Sequence, residues 1–374
     1  MPKRIEYLDI ARGIGILLVV LGHNDFAALS PFFHQVIYSF HIPLFFFLSG
    51  YFINTSLSFC DYSKKRFHAV LKPYLFTIAL IYFASVSFEK MGFQTAIVRI
   101  AKALYGSIDY IDWAQLWFLP NLFVVSLYAF LFIWITNKLQ NRWVRWGILV
   151  ATLAISLPVL QVFYPFSLPV FGKEYQLYGL PFSLDVIFLS GFFFILGNEV
   201  RQVTSEKTFN AILLLIGTGV GLIFLNFLFP YSVDIAKRVY ESFFVNTAEA
   251  LLGILLVLAL SRQIDLHAQR LAALFKYFGN ISLIILLFHV PIQGFWGDKI
   301  MAWTNNLPLS ILAGFVMGVL GPVIIYEIFI RFNPVASFWF GRKAELPEQK
   351  ETSAQEEQTA VQPPKSSIVE VKEQ

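Results

Sequence analysis

The chain has 374 residues, 57% of them hydrophobic and only 14% charged, with a net charge of +4. Globular domains carry about 25% charged residues, so this balance excludes an ordinary water-soluble protein and indicates one built inside a bilayer. The basic residues are spread among loops, which gives no reason to expect nucleic acid as a partner. The single Cys60 excludes an internal disulfide and a cysteine-rich metal site.

Apolar runs of about 20 residues can each span a ~30 Å hydrocarbon core. Ten occur in chain order, at roughly 8–28, 35–57, 67–90, 115–136, 143–164, 179–200, 209–229, 241–261, 273–295 and 307–331. The expected fold is therefore all-α, a polytopic integral membrane protein of about ten transmembrane helices. With the N-terminus inside, 17 Lys and Arg fall in inner segments and 7 in outer ones, which predicts both termini on the cytoplasmic side. The chain is therefore expected to be an integral membrane protein with lipid as its surroundings.

The first run follows Lys3 and Arg4 as a signal peptide would, but it carries Asp9 and Arg12 and offers no convincing cleavage site. It reads as a retained helix. Arg12 and His23 lie eleven residues apart in it, which at about 100° per residue brings them within about 20° of one face. About 16 Å of helix separates them. An Arg inside a membrane helix costs on the order of 2.5–3.5 kcal/mol, so such a residue marks function by default. The alternative for Arg12 is snorkelling to the inner interface.

Further along, residues 93–105 place apolar side chains at helical spacing with Arg99 and Lys102 between them, as a helix lying flat at the outer interface does. Gly217-x-x-x-Gly221 and Gly314-x-x-x-Gly318 fit close helix packing. No phosphate-binding glycine loop is present, so ATP-driven pumping has no support. The membrane domain is expected to cover 1–343. Residues 344–374, rich in Glu, Gln, Ser, Lys and Pro, are expected to form a disordered cytoplasmic tail.

Counting rise along each run places His23 at about 22 Å, His41 at about 21 Å, His289 near 24 Å and Asp185 near 21 Å from the inner face, with Asn121 at a similar level. Five helices thus bring polar groups to one layer in the outer half. For His289, a hydrogen bond across helices is the alternative. Asp185 reads as a residue orienting a histidine, and Asn121 as repairing backbone freed by Pro120. No HExxH or GxSxG motif occurs. His34 and His41 share a face but lack the further ligands a metal needs, so no metal is expected. A histidine suits removal of a proton from a hydroxyl attacking an acyl carbon. Arg12, Arg66 and Lys72, with Lys64 and Lys65, supply positive charge on the inner side for an anionic cosubstrate such as coenzyme A. The loop charges also serve topology alone.

These segments resemble the acyltransferase family 3 membrane enzymes, in particular the fucose 4-O-acetylase-like branch. LDIARGIGILLVVLGH resembles that family's Arg-x10-His signature, with Arg12 and His23 at its two positions. FHIPLFFFLSGYF, with His41, Ser49 and Gly50, resembles its helix-two block; LWFLPNLF and GNISLIILLFHVPIQ resemble later blocks. The resemblance covers about residues 5–335. It implies transfer of acetyl from cytoplasmic acetyl-CoA, as cosubstrate, to a sugar hydroxyl of a bacterial surface polysaccharide or its lipid-linked precursor. His23 is then the general base, His41, Asp185 and His289 complete the catalytic set, and Arg12, Arg66 and Lys72 meet the donor.

The chain departs from the pattern in KKRFHAVLKPYLF, where Arg66 is followed by Ala69 instead of the second member of an Arg-x-x-Arg pair. Gly297-Asp298 continues to Lys299, without the serine of an appended hydrolase-type domain. Transfer is therefore expected to be completed by the membrane domain or by a separate partner. The rival reading is an exporter or flippase of a glycan or glycolipid, for which a polar layer across ten helices also serves. Against it, no inverted repeat is evident and the polar groups sit at one level.

Overall fold

Backbone amides in hydrocarbon have no water to bond, so each apolar run closes its own hydrogen bonds as a helix. The computed structural model describes residues 5–88, 91–170 and 172–345. In order the helices are α1 (Glu6–Gly22), α2 (Pro31–Tyr51), α3 (Phe59–Ser87), α4 (Phe93–Tyr105), α5 (Ala114–Thr136) and α6 (Arg142–Val162). After them come α7 (Pro181–Val203), α8 (Ile212–Leu228), α9 (Phe243–His267), α10 (Gln269–Asn280), α11 (Ser282–Thr304) and α12 (Leu307–Ile330). Two short antiparallel hairpins join them, β1 (Phe166–Val170) with β2 (Lys173–Leu177) and β3 (Val233–Asp234) with β4 (Val239–Tyr240).

The fold is that of an all-α polytopic membrane protein. Among the described residues, 8 helices are long and apolar enough to cross a membrane: α2, α3, α5, α6, α7, α9, α11 and α12. The other two expected spans are present as α1 and α8, each 17 residues long, or about 25 Å at helical rise. The run 8–28 is not one helix. It stops at Gly22, His23 caps it by donating its backbone N–H to the Val19 and Val20 carbonyls, and the chain reverses through Phe26–Leu29 into Pro31.

The run 273–295 also divides. Helix α10 ends at Asn280, Ile281 leaves helical geometry (φ −101°, ψ 12°), and the freed Asn280 carbonyl accepts from Arg342 Nη1 at 2.6 Å. The ninth span is α11, which places His289 seven residues from its start at Ser282, about 10 Å along the axis rather than the expected 24 Å. The tail lies outside the described residues from 346 onward, as do Lys3, Arg4 and Lys90.

Helix α1 forms the centre, packed against α2, α9, α10 and α11. Its backbone meets α10 directly. A Cβ on Gly13 would collide with the Phe275 carbonyl, and one on Gly279 with the Asp9 carbonyl. Helices α2 and α7 cross by the same device, Gly50 under the Phe194 carbonyl and Gly197 under the Phe47 carbonyl. Small residues let backbones approach where lipid offers no hydrophobic drive to associate. Of the two spaced glycine pairs, Gly314 and Gly318 pack on Gln293 of α11 as expected. Gly217 faces open space and Gly221 only the Leu252 side chain. Helix α8 instead turns Leu213, Ile216, Val220, Phe224 and Phe227 outward. Helix α4 buries Ala96 and Ala103 and exposes Phe93, Ile97 and Val98.

Candidate active site

A cavity of about 650 Å³ runs beside α1 and is lined by both Arg12 and His23. Arg12, Ser49 and Arg66, which also share an adjoining recess, mark its arginine end, and the neighbouring rings of His23, Tyr38 and His41 mark its histidine end; Gln115, Asp234, Lys237, Asn280 and Gly341 also line it. The wall between is apolar, from Ile16 and Val19 of α1, Ile42, Phe45 and Leu48 of α2, and Trp117 and Phe118 of α5.

Three imidazoles meet at the histidine end. The ring of His23 lies 6.4 Å from that of His41 and 5.3 Å from that of His289, edge-to-face in both cases. Each ring is held in the same way, with Nδ1 2.9 Å from the carbonyl four residues back: Val19 for His23, Ile37 for His41 and Ile285 for His289. A carbonyl only accepts, so in each ring Nδ1 carries the proton and the neutral form leaves Nε2 as a bare lone pair. His289 does not line the cavity. It stands behind His23, and its Nε2 is buried without a hydrogen-bond partner.

The end of α1 is fixed from outside. Gln293 Nε2 donates to the His23 carbonyl at 2.7 Å, and Tyr38 Oη donates to the Gly22 carbonyl at 3.2 Å. His34 stacks on Tyr38 with ring centroids 4.2 Å apart, and its Nε2 also reaches the Gly22 carbonyl. Because α1 stops at Gly22, His23 is a helix cap, and its ring, anchored through Nδ1 to the Val19 carbonyl, lines the cavity.

At the arginine end, Arg12 is paired with Asp9 at 3.0 Å, and its guanidinium sits 4.4 Å from the Phe52 ring centre. Arg66 precedes a π-helical turn, Phe67–Leu71, an irregularity frequent at functional sites. Its Nε and Nη2 are buried and make no hydrogen bond. A smaller recess of about 130 Å³ adjoins, lined by Arg12, Ser49, Asn54, Tyr62, Lys65 and Arg66. Ala69 lines the main cavity near Arg66, so Lys65, rather than a residue at 69, supplies further positive charge here.

Besides His289, the structure keeps two more of the expected site residues away from this cavity. Lys72 places its ammonium 3.6 Å from the centre of the Phe338 ring. Asp185 orients no histidine. It is fully buried and bound by Arg238, Nε to Oδ2 at 2.7 Å and Nη2 to Oδ1 at 3.1 Å, and it accepts the Leu180 N–H at 2.8 Å. Asn121 likewise has a different role from the one expected. Its Nδ2 donates to the carbonyls of Phe182 and Ser183 at 3.2 and 2.8 Å, which have left-handed φ of 56° and 53°. Both residues stabilise the bend that opens α7.

Residues not singled out in the sequence also shape the site. Tyr38, Gln115, Gln293, Asp234, Lys237 and Arg238 sit among apolar or loop residues, and the two loop cations counted only toward topology.

Comparison with known proteins connects this arrangement to a family. The family model described as an acyltransferase domain, acyltransferase family 3, matches residues 5–327, from the first turn of α1 into α12. The chain belongs to acyltransferase family 3. It is 33% identical over 177 residues to nodulation protein NolL of Sinorhizobium fredii, covering 42% of this chain and 45% of that protein. It is 31% identical over 173 residues to nodulation protein NolL of Mesorhizobium japonicum, covering 42% of this chain and 44% of that one. The chain thus spans less than half the length of these curated relatives. No solved structure matches. The family match embraces both Arg12 and His23 and every other residue named along the cavity except Gly341.

Proposed function

We propose that this family member is a membrane O-acetyltransferase that moves acetyl from acetyl-CoA to a sugar hydroxyl of a bacterial surface glycan or its lipid-linked precursor, across the cytoplasmic membrane. The observation that carries the reading is that Arg12 and His23 line one cavity. Its arginine end has the chemistry for an anionic donor, because charge-assisted hydrogen bonds to phosphate are among the strongest available. Arg66, with two buried nitrogens unbonded, and Lys65 beside Arg12 are the groups assigned to those phosphates. The arginine end faces the cytoplasm in this reading, following the excess of Lys and Arg on that side.

At the histidine end, His23 Nε2 takes the proton from the acceptor hydroxyl. The oxygen forms its bond to the thioester carbonyl carbon, the carbon–sulfur bond breaks, and the imidazolium proton passes to the departing thiolate. The cavity joins the two ends, so a thioester arm reaching up from the arginine end delivers acetyl directly, with no covalent relay on the protein. His41 shares the space with His23, and His289 supports it from behind. The apolar wall favours this reading over glycan export. A saccharide drawn past Ile16, Val19, Leu48 and Phe118 would leave its hydroxyls unpaired, at a cost of several kcal/mol in total (roughly 1–3 kcal/mol for each).

The test is to express the protein with its native glycan and quantify O-acetyl groups by mass spectrometry. Wild type should acetylate, whereas His23→Ala should lose at least a hundredfold, in line with the 10²–10⁴-fold worth of a general base. Arg12→Ala should lose activity through the donor. Unchanged acetylation in His23→Ala would sink the mechanism.

A further inference from the structure

The histidine end of the cavity is covered by the β3–β4 hairpin, whose construction is unusual. Its turn carries Arg238 at φ 59°, a left-handed conformation that non-glycine residues rarely adopt. Arg238 is held there by Asp185, by Ser107 Oγ at 3.3 Å, by the Ala236 carbonyl, and by the face of Tyr164, whose ring centre is 4.8 Å away. Ile235 and Ala236 are buried beneath it. A strained residue persists only where its surroundings over-determine it, and the outcome of that strain is specific. The turn holds Asp234 and Lys237 against the cavity that His23 also lines.

The chemistry offered there is that of an acceptor for hydroxyl protons. Asp234 Oδ1 accepts the Lys237 N–H at 3.2 Å, and Oδ2 lies 3.7 Å from the Lys237 ammonium. A carboxylate has about four acceptor sites, so lone pairs remain for a ligand. Its charge lies within electrostatic reach of His23, His34 and Tyr38. Gln115, which lines the same cavity, donates from Nε2 to the Leu287 carbonyl at 3.2 Å, leaving its Oε1 buried without a hydrogen bond. A buried acceptor without a partner is costly, and a ligand hydroxyl would satisfy it.

We propose that Asp234 and Gln115 form the saccharide subsite, binding hydroxyls that neighbour the one presented to His23, with Lys237 fixing the carboxylate and Arg238 as the positioning residue that holds the turn. This rests on the acyl-transfer reading for its purpose, but the binding it asserts is separately measurable. The full-length protein in detergent is titrated with methyl α-D-glucopyranoside, methyl α-L-rhamnopyranoside and methyl α-L-fucopyranoside by saturation-transfer NMR, with cyclohexanol as a mono-hydroxyl control. The same preparation is assayed for acetyl-CoA consumption.

At least one glycoside should bind better than cyclohexanol, and Asp234→Asn should weaken it by about tenfold. Lys173→Ala, on the β1–β2 hairpin, should bind as wild type does. If Asp234→Asn does not fold, Lys237→Glu, a change at a largely exposed side chain, should show the same weakening. Equal binding by wild type and both variants overturns the subsite, as does saturation transfer to none of the glycosides. Acetyl-CoA consumption without sugar binding overturns the subsite alone. Sugar binding that depends on Asp234 in a protein that never consumes acetyl-CoA supports the subsite and counts against acyl transfer.

Discussion

Arg66 bears most directly on the donor end of the cavity. Two of its guanidinium nitrogens are buried without hydrogen bonds, and a buried donor left unmet costs about 1–3 kcal/mol. A bound phosphate would repay that cost. Arg66→Ala should therefore raise the acetyl-CoA KM by about ten- to a hundredfold, with hydrogen bonds to charged groups worth roughly 1.5–3 kcal/mol. The acceptor KM should move much less, and steady-state kinetics on purified protein will separate the two. A donor KM unaltered by the substitution would remove Arg66 from the donor site. Residues on one helix were the legible part of the site. Arg12 and His23 follow from eleven steps of helical rotation, and both line the cavity. Lys72 and Asp185 were misjudged because spacing along a helix says nothing about the neighbour it faces. Lys72 turns to Phe338 and Asp185 to Arg238, partners far along the sequence. The preference of all three histidines for a carbonyl four residues back is a local feature, yet no residue pattern announces it.

At the scale of elements, the apolar runs made the helices legible, and the two misread runs share a cause. Neither has a proline at its break. Gly22-His23-Asn24-Asp25 and Gly279-Asn280 are short polar breaks carrying ordinary helix-stop residues, and a count of long apolar runs passes over them. Helix crossings were legible only in part: Gly314 and Gly318 pack as their spacing predicts, but elsewhere a glycine in an apolar run looks alike whether it meets a carbonyl or lipid. The structure separates the two cases. Gly50→Leu on α2 would drive a side chain into the Phe194 carbonyl, and overpacking of this kind costs typically 1–3 kcal/mol or more. Its unfolding midpoint in detergent should fall by several degrees, whereas Gly217→Leu on α8, with nothing near its Cβ, should unfold as wild type does. Equal midpoints for the two variants would contradict the α2–α7 crossing described here.

Across the whole molecule, the histidine-side loops are tied into one cap through the buried Asp185–Arg238 pair, which also engages Ser107 and lies under Tyr164. Removing one partner strands a buried charge, so Arg238→Ala should destabilise the protein by about 3–5 kcal/mol. Replacing both, with Asp185→Leu and Arg238→Met, should recover much of that stability, because apolar groups often replace a buried ion pair at little cost. The acceptor KM should stay high in the double variant, since nothing then holds the turn bearing Asp234. Recovery of both stability and acceptor KM would reduce the pair to scaffolding. The helix that the cap overlies, α1, ends at Gly22 with His23, the proposed base, as its cap. Arg12 and His23 thus stand on one rigid rod, like two marks on a rule. Adding a single residue between them would swing one mark by about 100° and out of the shared space. Adding four would keep the direction within about 40° but lengthen the gap by about 6 Å. The spacing of the signature is therefore a measurement in itself: in the proposed reaction it sets how far the acetyl group must reach.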